Sequence, residues 1–312
     1  MSTSGGLEVW RGGVNTWECD AMGHMNVRFY VARAMEGLVG LAGALGLNGA
    51  FRERATATLL VKDHHIRFQR EARAGAPLHM VAGVLDVQEC EARFLQLLIH
   101  STTGELAASF QTVVTHVTAR DERAFPWSES ARLALERLRI KAPDGAAPRS
   151  LGLAPSAGRA CLAEAEALNL VRLGAGAIGS GDCDVFGRMR PEVMVGRVSD
   201  GVPGLGAVLR AGAGEGASER PSGIGGAVLE YRIAYLAWPR AGDRYIIRSG
   251  LAAVGDKAHH YVHWMLNPET GRAWGSSEAV AISLDLAARR IIPISPADQA
   301  LLRTRITPGL TF

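Results

Sequence analysis

Between residues 31 and 45, Val31, Met35, Leu38, Ala42 and Leu45 return to one side every three to four positions. That spacing predicts a long helix, with Asn26 near its start and Gly46 near its end. Ahead of it, residues 9–14 read as a short strand. Behind it, four stretches at 57–69, 77–88, 92–101 and 105–117 read as extended. Ile66 and Phe68 alternate with polar neighbours in the first of these, and Ser101-Thr102-Thr103-Gly104 supplies a hairpin turn between the last two. A further helix-like stretch covers 128–139. One long helix followed by an antiparallel meander makes an α+β unit.

The same order is written twice. At an offset of 164 residues, Cys19, Asp20, Gly23, Met25, Arg33 and Gly37 fall on Cys183, Asp184, Gly187, Met189, Arg197 and Gly201, and Glu36 meets Asp200. At an offset of 167, Ile66, Arg73, Ala74 and Gly75 fall on Ile233, Arg240, Ala241 and Gly242, and Thr103-Gly104 meets Thr270-Gly271. Arg123-x-x-Pro126 meets Arg290-x-x-Pro293 at the same offset. Four blocks in one order imply two copies of one fold. The expected division is a first domain at 1–140, a Pro/Gly/Ala-rich linker at 141–159 and a second domain at 160–312. A glycine-rich stretch at 211–226 reads as a surface loop, with a lid over a site as the sharper alternative.

Composition narrows the class. A chain of 312 residues, 47% apolar and 21% charged, is an ordinary globular protein long enough to bury a sizeable core. Its net charge of +3 comes without a Lys/Arg run, which argues against nucleic acid as a partner. The opening MSTSGGLEVW lacks the layout of a secretory signal. The uncharged run between Glu36 and Arg52 is too short and too glycine-rich to span a bilayer and reads as a buried helix, so no membrane partner is expected. Cys19, Cys90, Cys161 and Cys183 show no CxxC spacing and read as reduced, small buried apolar residues, which fits a cytoplasmic protein.

Chemistry concentrates in Asp20-Ala-Met-Gly-His-Met-Asn-Val-Arg-Phe-Tyr30. A carboxylate just ahead of a helix start lies near unpaired backbone N–H groups that can hold a carbonyl oxygen as charge develops on it. The amides of Gly23 to Asn26 are the expected donors. Asp20 would activate water as a base or attack the carbonyl itself. His24 would polarise the carbonyl or fix the loop, and Asn26 would orient Asp20 or water, or else cap the helix. Gly23 would let the backbone approach, and Tyr30 reads as core.

This segment resembles the signature of hotdog-fold acyl-CoA thioesterases of the 4-hydroxybenzoyl-CoA thioesterase type, which show Asp-x-x-Gly-His-Val-Asn followed by a Tyr at this distance. Asp20, Gly23, His24, Asn26 and Tyr30 match it, and Met25 stands for the usual Val. The resemblance implies two tandem hotdog folds, each a long helix wrapped by an antiparallel β-sheet. It implies hydrolysis of acyl-CoA to a carboxylic acid and free coenzyme A, with no metal and no cofactor beyond the coenzyme A of the substrate. Asp20, His24 and Asn26 would be catalytic, and Gly23 and Met25 would contact the substrate through the loop. Single hotdogs of this family pair side by side, so the tandem serves as its own dimer or assembles further into a homo-oligomer of double hotdogs. Two other readings compete: hydrolysis of thioesters on an acyl carrier protein, and non-catalytic binding of acyl-CoA.

In the second copy Asp184 persists, but Arg188 and Arg190 replace the His and Asn. An arginine beside a carboxylate occupies its lone pairs and makes it a poorer base, so this copy reads as a structural partner. Arg188 and Arg190 as contacts for coenzyme A phosphates, and Asp184 as the active carboxylate, are the alternatives. Elsewhere, His64-His65 reads as a sheet-edge or rim pair. His259 and His263 share one strand face with no acidic partner nearby, and neither group has metal-site spacing. No Gly-x-Ser-x-Gly elbow and no Gly-x-x-x-x-Gly-Lys loop occurs.

Overall fold

Each half of the chain folds an antiparallel sheet around one long helix; the computed structural model describes residues 6–156, 158–210 and 223–312. One unit comprises Met1–Pro148 with Cys183–Glu192, the other Arg149–Asp182 with Val193–Phe312. No described helix is long and apolar enough to cross a membrane.

In the first unit, β1 (Leu7–Gly13) leads to α1 (Val27–Ala44), then to β2 (Ala57–Phe68), β3 (Pro77–Val87), β4 (Glu91–His100), β5 (Leu106–Thr118) and α2 (Glu129–Arg137). The strands lie in the order β1-β3-β4-β5-β2, every pairing antiparallel. The β4–β5 hairpin closes where Gly104 adopts φ +72°, with the His100 N–H donating to the Glu105 carbonyl at 2.9 Å.

The buried face of α1 is Tyr30, Val31, Ala34, Leu38, Leu41 and Ala42, and each fully buried Val or Leu there contributes about 1.5 to 3 kcal/mol. Ala34, not Met35, occupies the middle of that face, and its small side chain brings the helix carbonyl within 2.6 Å of the Gln96 amide. Gly37 explains one of the repeated glycines, because a Cβ there would run into Met80 and Gln96. Its counterpart Gly201 faces Leu173 in the other unit in the same way.

The apolar run between Glu36 and Arg52 is helical only in its first part. Gly46, at φ +78°, ends α1, with its N–H and that of Leu47 donating to Gly43 and Ala42 at 3.0 and 2.8 Å. Residues 46–56 then continue as turns.

The stretch read as a linker is partly packed. Ala146 is fully buried against Val81, Leu95, Leu97 and Ile99. Arg67, Gln69 and Gln111 donate to the carbonyls of Ala147, Gly145 and Ala146 at 2.9, 2.6 and 3.1 Å. Pro and Gly richness reports only the local backbone; three side chains from the sheet decide that this segment is held.

The second unit contains α3 (Leu162–Ala167), β6 (Val171–Ala177), α4 (Pro191–Arg210, from Val193 on), β7 (Ile224–Tyr235), β8 (Arg244–Val254), β9 (Ala258–Leu266), β10 (Ala273–Asp285), β11 (Arg290–Ile292) and α5 (Pro296–Arg303). Its strands lie in the order β7-β10-β9-β8-β6, with β11 on β10. Trp264, Val262, Leu266 and Leu170 form the centre of a buried cluster. Buried Glu230 holds the start of the unit by accepting the N–H groups of Arg149 and Ser150 at 2.9 and 2.7 Å. Of the glycine-rich stretch proposed as a loop or lid, residues 211–222 lie outside the described residues.

Candidate active site

The loop before α1 is closed on itself. The Asp20 N–H donates to the His24 carbonyl at 2.9 Å, and the Gly23 N–H donates to the Asp20 carbonyl at 3.0 Å. Gly23 takes φ +78°, and a Cβ there would meet nothing within 4 Å. The glycine therefore serves the left-handed backbone of the turn, and the space beside it is open.

This turn aims donors at one carboxylate. Asp20 Oδ1 accepts the Met22 N–H at 2.8 Å, and Oδ2 lies 3.1 Å from His24 Nδ1. Both side chains are largely covered, at 21% and 13% exposure. Burial alone would raise the Asp20 carboxyl, but the hydrogen bond and charge of His24, with the amides of Met22 and His24, outweigh it and hold the group below its ordinary value.

The expected carbonyl-polarising amides are already committed, which corrects the sequence reading. The N–H groups of Gly23, Met25 and Asn26 donate to the carbonyls of Asp20, Ala72 and Glu18 at 3.0, 2.7 and 2.8 Å, and that of His24 serves the Asp20 carboxylate. Asn26 is the N-cap of α1: its Oδ1 accepts the Arg28 N–H at 2.9 Å and its carbonyl accepts the Phe29 N–H at 2.9 Å. Among the described residues this leaves Val27 as the first-turn amide without an acceptor. Met25 is 2% exposed, so its side chain belongs to the core. Tyr30 is core as well, edge-on to Phe68 at 5.0 Å with its hydroxyl accepting the Ala72 N–H at 3.2 Å; burial raises its phenol well above the ordinary value.

Sequence reasoning missed Glu18. It is 1% exposed, accepts the Asn15 N–H at 2.8 Å and pairs with Arg33 of α1, which also reaches Glu36 at 2.5 Å. This pair ties the turn before the loop to the helix after it. Its counterpart is Asp182, 2.9 Å from Arg197. The 164-residue offset already placed Arg33 on Arg197; carried one position back from Cys19, it places Glu18 on Asp182 and gives the missing signal.

The second loop has the same backbone and a different side-chain partner. Gly187 has φ +77°, the Asp184 N–H reaches the Arg188 carbonyl at 2.7 Å, and Asp184 Oδ1 accepts the N–H groups of Phe186 and Arg188 at 2.8 and 3.0 Å. Asp184 Oδ2 accepts Nε and Nη2 of Arg188 at 3.1 and 3.0 Å. Arg188 is 2% exposed, lies over the Phe186 ring at 4.6 Å and has Glu122 3.8 Å away. Its guanidinium is thus spent on carboxylates rather than open to a phosphate. Arg190 pairs with Glu192 at 3.2 Å, and burial raises the Glu192 carboxyl despite its own backbone N–H and the positive Arg190 and Arg28.

The remaining candidates separate from these loops. His64 and His65 are buried in mid-strand, not at a rim; His64 Nδ1 meets Thr112 Oγ1 at 3.0 Å, and that hydroxyl donates to Gln96 at 2.8 Å. Burial lowers His64 to about 3. His263 is similarly buried against Ser249 at 2.8 Å, while His260 does have an acidic partner, Glu278, at 3.0 Å on the next strand. The four cysteines form no disulfide and are half-buried rather than core residues, and Cys161 Sγ caps α3.

The comparisons with known proteins agree with this architecture. No curated protein matches the chain in sequence. Among solved structures, a putative oleoyl thioesterase from Lactobacillus plantarum is similar over 90% of this chain and 98% of its own, with a TM-score of 0.67 at 10% identity. A 12:0-ACP thioesterase from Umbellularia californica is similar over 88% and 93%, with a TM-score of 0.64 at 11% identity. An acyl-ACP thioesterase from Bacteroides thetaiotaomicron covers 87% and 96%, with a TM-score of 0.61 at 10% identity. At such identities the likeness is one of fold. The description "Thioesterase-like superfamily" matches residues 14–135 and again 178–302, one match for each copy. With both halves matched in order along most of its length, the chain belongs to the Thioesterase-like superfamily and carries the hotdog fold twice in tandem.

Proposed function

We propose that this protein hydrolyses acyl-CoA thioesters at the Asp20 loop, in the manner of the 4-hydroxybenzoyl-CoA type that its motif resembles. The observation that carries the reading is the Asp20 carboxylate, kept ionised beside His24 at 3.1 Å and set just ahead of α1. The Val27 N–H is the donor for the thioester carbonyl oxygen. In one route Asp20 accepts a proton from water as the water oxygen bonds to the carbonyl carbon; the C–S bond then breaks and the thiolate takes up a proton. In the other, Asp20 displaces the thiolate and forms a mixed anhydride that water hydrolyses. A depressed carboxyl is a weak proton acceptor, which favours the second route. His24 holds the carboxylate in place through Nδ1. No metal or cofactor enters either route.

The test is thiol release from a panel of short, long, branched and aromatic acyl-CoAs by the wild type and by Asp20→Asn, each confirmed folded. Hydrolysis that disappears in Asp20→Asn supports the reading; undiminished hydrolysis rejects the assignment of Asp20. Two of the structures similar along the whole chain are named as ACP thioesterases, so the panel includes acyl carrier protein thioesters. Turnover of these alone replaces coenzyme A by the carrier. Binding without turnover on every substrate leaves a non-catalytic acyl-CoA protein.

A further inference from the structure

At the other end of α1 from the Asp20 loop, the turns at residues 46–56 and the start of β2 line an open pocket of about 350 Å³. The 18 residues of α1, at about 1.5 Å each, separate the two places by roughly 27 Å. Arg52 and Arg54 are exposed residues of its lining, and among the described residues neither has an acidic partner. Glu53, between them in the chain, pairs with neither and does not line the cavity.

The deeper lining is polar and fixed. Thr58 is fully buried, and its hydroxyl has no hydrogen-bond partner among the described residues. His116 is held by its Nδ1 contact with the Phe125 carbonyl at 3.2 Å and by stacking on Trp127 at 4.7 Å. Asn48 adds an amide. The helix end nearby does not repel an anion strongly, because the Gly46 and Leu47 N–H groups close its last carbonyls.

Two uncompensated guanidinium groups, a buried hydroxyl lacking a partner and a space the size of a small organic ligand share one chemistry, since guanidinium forks match phosphate oxygens. We propose that this cavity binds a phosphate-bearing small molecule of up to nucleotide size, with Arg52 and Arg54 on the phosphate and Thr58 and Asn48 as polar contacts inside. The proposal does not depend on the thioesterase reading.

Calorimetric titration of the full-length protein with inorganic phosphate, AMP and citrate tests it. AMP binds, phosphate binds more weakly, and citrate gives no measurable heat. The double variant Arg52→Ala/Arg54→Ala weakens AMP at least tenfold, Thr58→Val weakens it several-fold, and Asp20→Asn leaves it unchanged, each variant being checked for an unaltered melting profile. No binding of phosphate or AMP, binding retained by the double arginine variant, or citrate binding as tightly as AMP overturns the proposal. Full affinity in Thr58→Val removes the hydroxyl from the site.

Discussion

The loops at Asp20 and Asp184 share the same turn and the same backbone hydrogen bonds and differ in the side chain that meets the carboxylate. Both close a turn over a glycine with φ near +78°, and both give a carboxylate oxygen a backbone N–H at 2.8 Å. At Asp20 the second oxygen meets one imidazole nitrogen; at Asp184 it meets two nitrogens of a buried guanidinium with a second carboxylate behind it. An imidazole can gain or lose a proton near pH 7, whereas a guanidinium stays charged. The conserved part of the motif is thus the part that makes the turn. The part that changed is the part able to take part in a reaction.

The sharpest way to break this comparison is to neutralise each aspartate in turn. Asp20→Asn should lower kcat/KM by two orders of magnitude or more, the usual worth of a positioned carboxylate. Asp184→Asn should leave it within about twofold. Equal losses would mean that both loops act. Because Asp20 is held below its ordinary value, the wild-type acid limb of kcat/KM should lie below the usual aspartate range. A limb near the ordinary value would show that His24 does not support Asp20 in solution.

The anchoring pairs should differ in the same direction. Glu18→Gln leaves the largely covered Arg33 without its buried partner and should cost about 3 kcal/mol in chemical denaturation. Asp182→Asn breaks a more exposed pair and should cost about 1 kcal/mol. A reversed order would make the second loop the more strongly tied.

Each unit also holds a buried histidine, His64 in the first and His263 in the second, lowered to about 3 by burial. The unfolded chain binds a proton at each below pH 6.5, while the folded chain stays unprotonated there until about pH 3. Stability should therefore fall as pH drops from 6.5 towards 3, by up to about 1.4 kcal/mol per pH unit for each histidine. His64→Gln should remove its share of that slope in pH-dependent denaturation.

The smallest effect should be the most symmetric. Gly23→Ala and Gly187→Ala each force a side chain to a left-handed backbone and should each cost about 1 kcal/mol, with no steric addition at Gly23. Unequal costs would show that the two turns are not held alike.

Much of this was legible from the chain. The spacing from Val31 to Leu45 placed α1, the alternating stretches placed β2 to β5, and the offset of 164 residues exposed the duplication. These signals are local or repeated. What escaped depends on partners distant in sequence: His64 meets Thr112, 48 residues away, and Glu18 meets Arg33 across the loop. The amides before α1 escaped for a related reason. A helix start advertises free donors, yet Ala72 and Glu18 supply acceptors that consume two of them. At the candidate site, spacing named the residue types; which atoms face one another came from the fold.

The segment Cys183–Glu192 packs with the first unit although it is encoded inside the second copy. The two halves consequently no longer correspond to two separable genes. A chain cut off after Pro148 would lack not only the second unit but also a piece of the first.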